Sequence, residues 1–388
     1  MLSLTLLGGL LFVLRPSPAP DDLWRQAKAE LDGHRFDRTL ATLDRLRRLR
    51  EPKSEDLLLR AEAEIGLGRP DAALENLARV PDGEPMAPQA RLLAGQLELR
   101  RHRLVAAEAL LRRAAELGPR LVQPLRELIY IYGMQLRRPE LNRTFRALSG
   151  LADLNADEVY LWTLTRGVTW EPEEVSEYLA ECVRADPADR QSRLGLAEAL
   201  RQQNRFAESE AALASLPDSD PDARTIRART AIDRGEDERL ETLLAEGPAD
   251  HAGLALLRGR LALARNEGPA ALAAFRAAHA ADPSQREAIL GLGQALLAVG
   301  DAKAAAPYLE ELKKHDRLEQ LMQRAARVSN RDDPALIRDL GAACLGVGRR
   351  AEARSWYKLA IRIDPSDVQA QKGYADASAP PPAPAEGR

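Results

Sequence analysis

Equivalent positions recur at a spacing of 34 residues down almost the whole of this 388-residue chain, and nothing else constrains its fold as tightly. The clearest landmark is a turn position: His34, Gly68, His102, Leu136, Trp170 and Asn204 stand in perfect register. The series resumes at Gly235 after a shorter unit, continues through Asn266 and Gly300, and ends at Gly348 after an insertion. Seven residues before the turn a small side chain is usual, as at Ala27, Ala61, Gly95, Gly259 and Gly341. Five residues after it comes another, as at Ala73, Ala107, Ala271 and Ala353, with Leu141 and Val175 as departures. Four further on a large apolar residue stands every time, among them Leu43, Leu111, Phe145, Leu179, Phe275 and Tyr357. Helical spacing on both sides of a turn, repeated at this period, is the signature of stacked helical hairpins. The chain is therefore expected to be all-α, a solenoid of about ten hairpins, and not the two or three compact domains that its length would allow.

Proline punctuates the units. Pro85, Pro119, Pro187, Pro221, Pro283 and Pro365 all stand seventeen residues past their turns, where each ends a second helix. Asp186, Asp220, Asp282 and Asp364 precede four of them and offer a side-chain acceptor to nearby backbone N–H groups. The unit Ala335–Pro365, with Leu340, Gly341, Cys344, Gly348, Ala353, Tyr357, Ala360 and Pro365, resembles a tetratricopeptide repeat. Units at 88–119, 252–283 and 286–312 resemble it too, whereas those beginning near 20, 122, 156 and 221 are degenerate. The resemblance covers roughly residues 20–365 and implies a right-handed α-solenoid that binds proteins or peptides. It does not imply which ones.

Four segments stand apart from the regular array. Leu2–Leu14 is uncharged and apolar, closed by Arg15 and a proline-rich stretch, so residues 1–19 are expected to be a membrane anchor or export signal. At about 20 Å as a helix, thirteen residues fall short of a full span. Residues 313–331 interrupt the period and carry Leu318, Leu321, Met322 and Ala325 at helical spacing, which predicts one added helix. Residues 366–377 read as a terminal capping helix, and the Pro/Ala-rich 378–388 as disordered. Location at or beyond a membrane follows if the first segment acts as expected; otherwise the chain is cytoplasmic.

The inventory argues against catalysis. Five histidines are scattered over distant units with no metal-ligand spacing, and neither a metal nor a cofactor is expected. Units of a solenoid touch only their neighbours, so Cys182 and Cys344 are too far apart to pair, and Cys182 has no histidine in its own unit to activate it. Gly291 and Gly293 lie inside a helical pattern, the wrong context for a phosphate loop. Formal charge balances at −3, which points away from nucleic acid.

The remaining expectation is a non-catalytic scaffold that holds a partner segment in its concave face. In the resembling family that face is lined by the first helix of each unit. Here those positions include Arg126, Tyr130 and Met134 in unit four and Tyr160 and Leu164 in unit five, a concentration of the arginine and aromatic types that anchor binding hot spots. Tyr132 and Trp162 fall on packing positions instead. The charge is also uneven: residues 91–146 hold twelve Arg against five Glu, and residues 153–189 hold ten acids against two Arg. Such blocks either steer a partner or satisfy one another. Docking of a chaperone tail is not expected, because Trp24, Lys28, Leu58 and Glu62 replace the Lys and Asn carboxylate clamp, and Glu62 would repel a carboxylate. A structural part in an envelope or secretion assembly, and an accessory subunit that positions an enzyme, are the alternative roles.

Overall fold

A computed structural model describes residues 19–165, 171–327, 330 and 333–380. Among the described residues every regular element is a helix. The first units are α1 (Pro20–Asp32) with α2 (Phe36–Arg47), α3 (Ser54–Gly66) with α4 (Pro70–Ala78), and α5 (Ala87–Arg100) with α6 (Leu104–Leu117). Next come α7 (Gln123–Met134) with α8 (Arg138–Leu151), and α9 (Ala156–Leu164) followed by α10 (Pro172–Ala185). The second half holds α11 (Arg190–Gln202) with α12 (Phe206–Leu213), α13 (Pro221–Arg234) with α14 (Asp237–Ala245), and α15 (Ala252–Ala264) with α16 (Gly268–Ala281). It ends with α17 (Arg286–Ala298) and α18 (Ala302–Ala325), α19 (Pro334–Gly346) and α20 (Arg350–Ile363), and a last helix, α21 (Val368–Ser378). The chain is an α-solenoid of helical hairpins.

The turn positions read from the sequence are where the backbone turns left-handed. All that are described have positive φ, from 54° at His34 to 83° at Gly300, while Trp170 lies outside the described residues. The residue after the turn then reaches back to the carbonyl five positions earlier, as Arg35 does to Glu30, Arg103 to Glu98 and Arg205 to Leu200, at 2.8–3.0 Å. This closure satisfies helix-end carbonyls and reverses the chain in very few residues. The Asp-Pro pairs act as expected: Asp186, Asp220, Asp282 and Asp364 each accept a backbone N–H two residues on, at 2.9–3.0 Å.

Close packing explains the alternation of small and large residues. A Cβ added to Gly259 in α15 would lie 2.8 Å from the Phe275 ring of α16, and one added to Gly291 in α17 only 2.1 Å from it. Phe275 therefore wedges between the first helix of its own unit and that of the next, and both must be bare at that point. Tyr357 repeats the arrangement between Gly341 and Gly373, at 3.0 and 2.2 Å. That is why Gly291 and Gly293 are glycine inside a helix: their neighbours are Phe275 and Leu309.

Two expectations fail. The insertion adds no separate helix; residues 313–325 prolong α18 to 24 residues. The stretch from Tyr308 to Ala325 contains neither Gly nor Pro and is rich in Leu, Glu, Lys, Gln and Arg, so nothing stops the helix. Nor do units touch only their sequence neighbours. Helix α9 packs more extensively on α18 and α20 than on α10, the second helix of its own unit, and α8 also meets α20. The core that begins in α5 to α8 runs on through Val159 and Trp162 of α9 into Leu318, Leu321 and Met322 of α18 and Trp356 of α20. The Trp356 indole N–H donates to the Thr163 hydroxyl at 3.0 Å, across 193 residues of sequence. Outside this core, Lys358 Nζ lies 3.0 Å from the Asp153 carboxylate.

Candidate partner-binding face

Several successive first helices lie side by side, as α5 does with α7 and α11 to α17 do with one another, and polar side chains pair between them. Gln96 donates to Glu127 at 2.8 Å, and Arg126 donates to Glu158 at 2.8 Å. In the second half Arg229 lies 3.5 Å from Glu198 and Arg260 lies 3.6 Å from Glu287. The face predicted to bind a partner is thus rich in paired charge in both halves of the chain. Burial on it pushes the Glu62 carboxyl above the usual carboxylate range, with Lys28 offsetting part of the rise.

Of the expected anchors, the structure leaves some open and closes others. Arg126 is exposed and fixed by Glu158. Tyr130 is 38% exposed and Leu164 is half-buried. Met134 and Tyr160, at 6% and 9%, are buried in the main core and offer a partner almost no surface in this arrangement. Tyr160 belongs to α9, the shortest first helix, which packs on α18 and α20. Tyr132 and Trp162 occupy packing positions as expected. Trp162 stacks on Phe145 with ring centroids 5.5 Å apart and donates to Asn142, while the Tyr132 hydroxyl donates to Glu108 under the Arg137 guanidinium.

The spacing gave no hint of what stands beside Tyr130. Tyr178 of α10 meets it edge-on at 5.6 Å, and His102, at the turn of unit three, meets Tyr178 at 5.1 Å. Unit five is thereby laid against the turns of units three and four, where Gln135 also donates to Ser192 of α11 at 3.1 Å. A periodic pattern pairs neighbours only, so the one available signal was Tyr178 itself, an aromatic beside the packing residue Leu179. The Cys182 sulfur lies 4.0 Å from His102 Nδ1. That approach does not make a nucleophile: the thiol is fully buried, and burial, with Asp189 next, pushes its pKa up to about 12. Burial also raises the Tyr130 hydroxyl, with a hydrogen bond from Tyr178 acting the other way.

Two family models, both described as tetratricopeptide repeat, match this chain, one over residues 171–232 and the other over residues 58–121 and 256–318. The chain is a tetratricopeptide-repeat protein. Such repeats mediate contacts between proteins, so it is a protein-interaction scaffold. No curated protein matches it. Solved structures to which it is similar include a tetratricopeptide-repeat protein from Parabacteroides merdae, at 17% identity over 63% of this chain and 98% of that one, with a TM-score of 0.33. The C-terminal part of a repeat protein from Cytophaga hutchinsonii is 13% identical over 69% and 99%, with a TM-score of 0.33. Yeast Tom70 is 12% identical over 92% and 88%, also at 0.33. Likeness at that level carries no argument about ligands.

The two charge blocks of this tetratricopeptide array meet through Arg126 and Glu158. Other basic residues find partners outside the acidic block: Arg91 and Arg113 share Asp82, and Arg137 takes Glu108. Glu173, Glu174, Glu177 and Glu181 stay exposed along α10. Among the described residues no group of three His, Cys, Asp or Glu side chains is placed to hold a metal ion, and no helix is long and apolar enough to cross a membrane. Leu2–Leu14 lies outside the described residues.

Proposed function

We propose that this chain is a non-catalytic scaffold that holds a segment of another protein against its first helices, around Arg126, Tyr130 and Leu164. The observation that carries this reading is Tyr130. In a chain with 4% aromatic residues it stands 38% exposed, braced edge-on by Tyr178 and beside a charge-fixed arginine. A large, rigid, half-open ring next to a guanidinium is the pattern of a binding anchor, since it desolvates a wide area at low entropic cost. Met134 and Tyr160 extend the anchor only if the cover over them moves. Leu2–Leu14 is proposed to tether this face at a membrane, because it is an uncharged, leucine-rich run closed by Arg15 and a proline-rich stretch.

The test is capture of peptides from an extended-peptide library by the full chain and by Tyr130→Ala. Peptides enriched by the first and lost by the second support the reading. Equal enrichment by both removes Tyr130 from it.

A further inference from the structure

We propose that α8 and α9 pack on the downstream helices α18 and α20 as a latch, and that a partner reaches Tyr160 only when the latch releases. The first half stands on the contacts alone. The second half rests on the partner-binding reading above.

The inserted residues are what build the latch. Without residues 313–325, α18 would end at Leu312 and would not supply Leu318, Leu321 and Met322 to the core that contains Val159 and Trp162. The insertion thus does a job that the 34-residue period cannot. Chemistry specific to the contact lies on both sides. Thr163 occupies the position seven before the turn, where the array prefers Ala or Gly, and its hydroxyl both donates to the Val159 carbonyl and accepts from Trp356. Trp356, 2% exposed, would carry a buried unpaired N–H without that acceptor, and Thr163, 4% exposed, gains a second partner. Lys358 and Asp153 add an ion pair at the rim.

A latch differs from ordinary core in that it opens on its own. Hydrogen exchange resolves this in the full chain without any partner, comparing α9 with the α5–α6 hairpin in wild type, Trp356→Phe, Lys358→Asp, and the swap Lys358→Asp with Asp153→Lys. Lys358 is partly exposed, so its variants keep the fold even where a tryptophan variant does not. The expected result is at least tenfold faster exchange at 159–163 in Trp356→Phe and severalfold faster in Lys358→Asp. Protection returns in the swap, and α5–α6 is unchanged throughout. Exchange at α9 that stays at the wild-type rate in both single variants overturns the latch, as does acceleration spread equally over α5–α6. Adding peptides captured by the wild type then separates the two halves. Faster exchange at α9 on binding supports displacement. A working latch with no peptide effect ends the displacement claim and leaves the latch.

Discussion

Two kinds of large side chain sit in the middle of this chain, and they should respond oppositely to truncation. Tyr130 is half open, so Tyr130→Ala should reduce binding of a captured peptide by at least about 2 kcal/mol, roughly thirtyfold, while thermal stability changes little. Leu111 and Leu179 are fully buried, and Leu111→Ala or Leu179→Ala should cost about 2–5 kcal/mol in denaturant unfolding. If Tyr130→Ala unfolds the chain as those do, the tyrosine is core and not anchor. A second residue-scale effect is set by pH. His251 Nε2, 3.1 Å away, and then Arg190 hold the Asp222 carboxyl down to about 2, from an ordinary value of 3.8. A carboxyl lowered on folding contributes stability above its unfolded value, and that stability disappears as pH falls from 3.8 toward 2. Because Asp222 is half exposed, the effect is about 1 kcal/mol or less. Acid titration of Asp222→Asn should lack that component of the wild-type loss, and identical acid curves would mean that His251 and Arg190 do not stabilise the carboxylate in solution.

At the scale of helices and turns, the best-read feature is the position of the turn, where the backbone is left-handed, and it also offers the sharpest substitution. Leu136 has φ 57°, a conformation that costs an L-residue about 1–2 kcal/mol relative to glycine. Leu136→Gly gives back part of that in chain entropy and in lost contacts, leaving a net gain of about 0.5 kcal/mol. A lower melting temperature in Leu136→Gly would show that the side-chain contacts of Leu136 outweigh its backbone strain. The hairpins, their turns and the small-against-large wedges at Phe275 and Tyr357 were legible because each is a contact between neighbours at fixed sequence spacing. The extension of α18 is not legible in the period, because a break in the repeat need not break the helix, and no residue in it interrupts one. The burial of Tyr160 is not legible in the period, because its helix α9 joins a core shared with α18 and α20, and no periodic rule relates unit five to units nine and ten. Tyr130 stands exposed on the first helix α7, but the contact of its neighbour Tyr178 with His102 joins units five and three, which a regular stack would keep apart.

For the whole molecule, the proposed tether at Leu2–Leu14 is the testable claim about where the scaffold works. The full chain is expected to partition with membranes or leave the cytoplasm, and a chain that begins at Asp21 to be soluble. Fractionation that finds both in the cytosol in equal amounts would reduce Leu2–Leu14 to a hydrophobic cap on the first unit. The contact between Trp356 and Thr163 bears on synthesis as well. A stack of hairpins can fold as it leaves the ribosome, each unit packing on the one before it. Helix α9 cannot finish that way, since the residue that completes its buried face follows 193 positions later. At about 5–20 residues per second, the nascent chain carries Val159 and Trp162 without their final cover for roughly 10–40 s. During that interval the middle of the chain is its most aggregation-prone part, and a chain cut short anywhere before α20 keeps it so permanently.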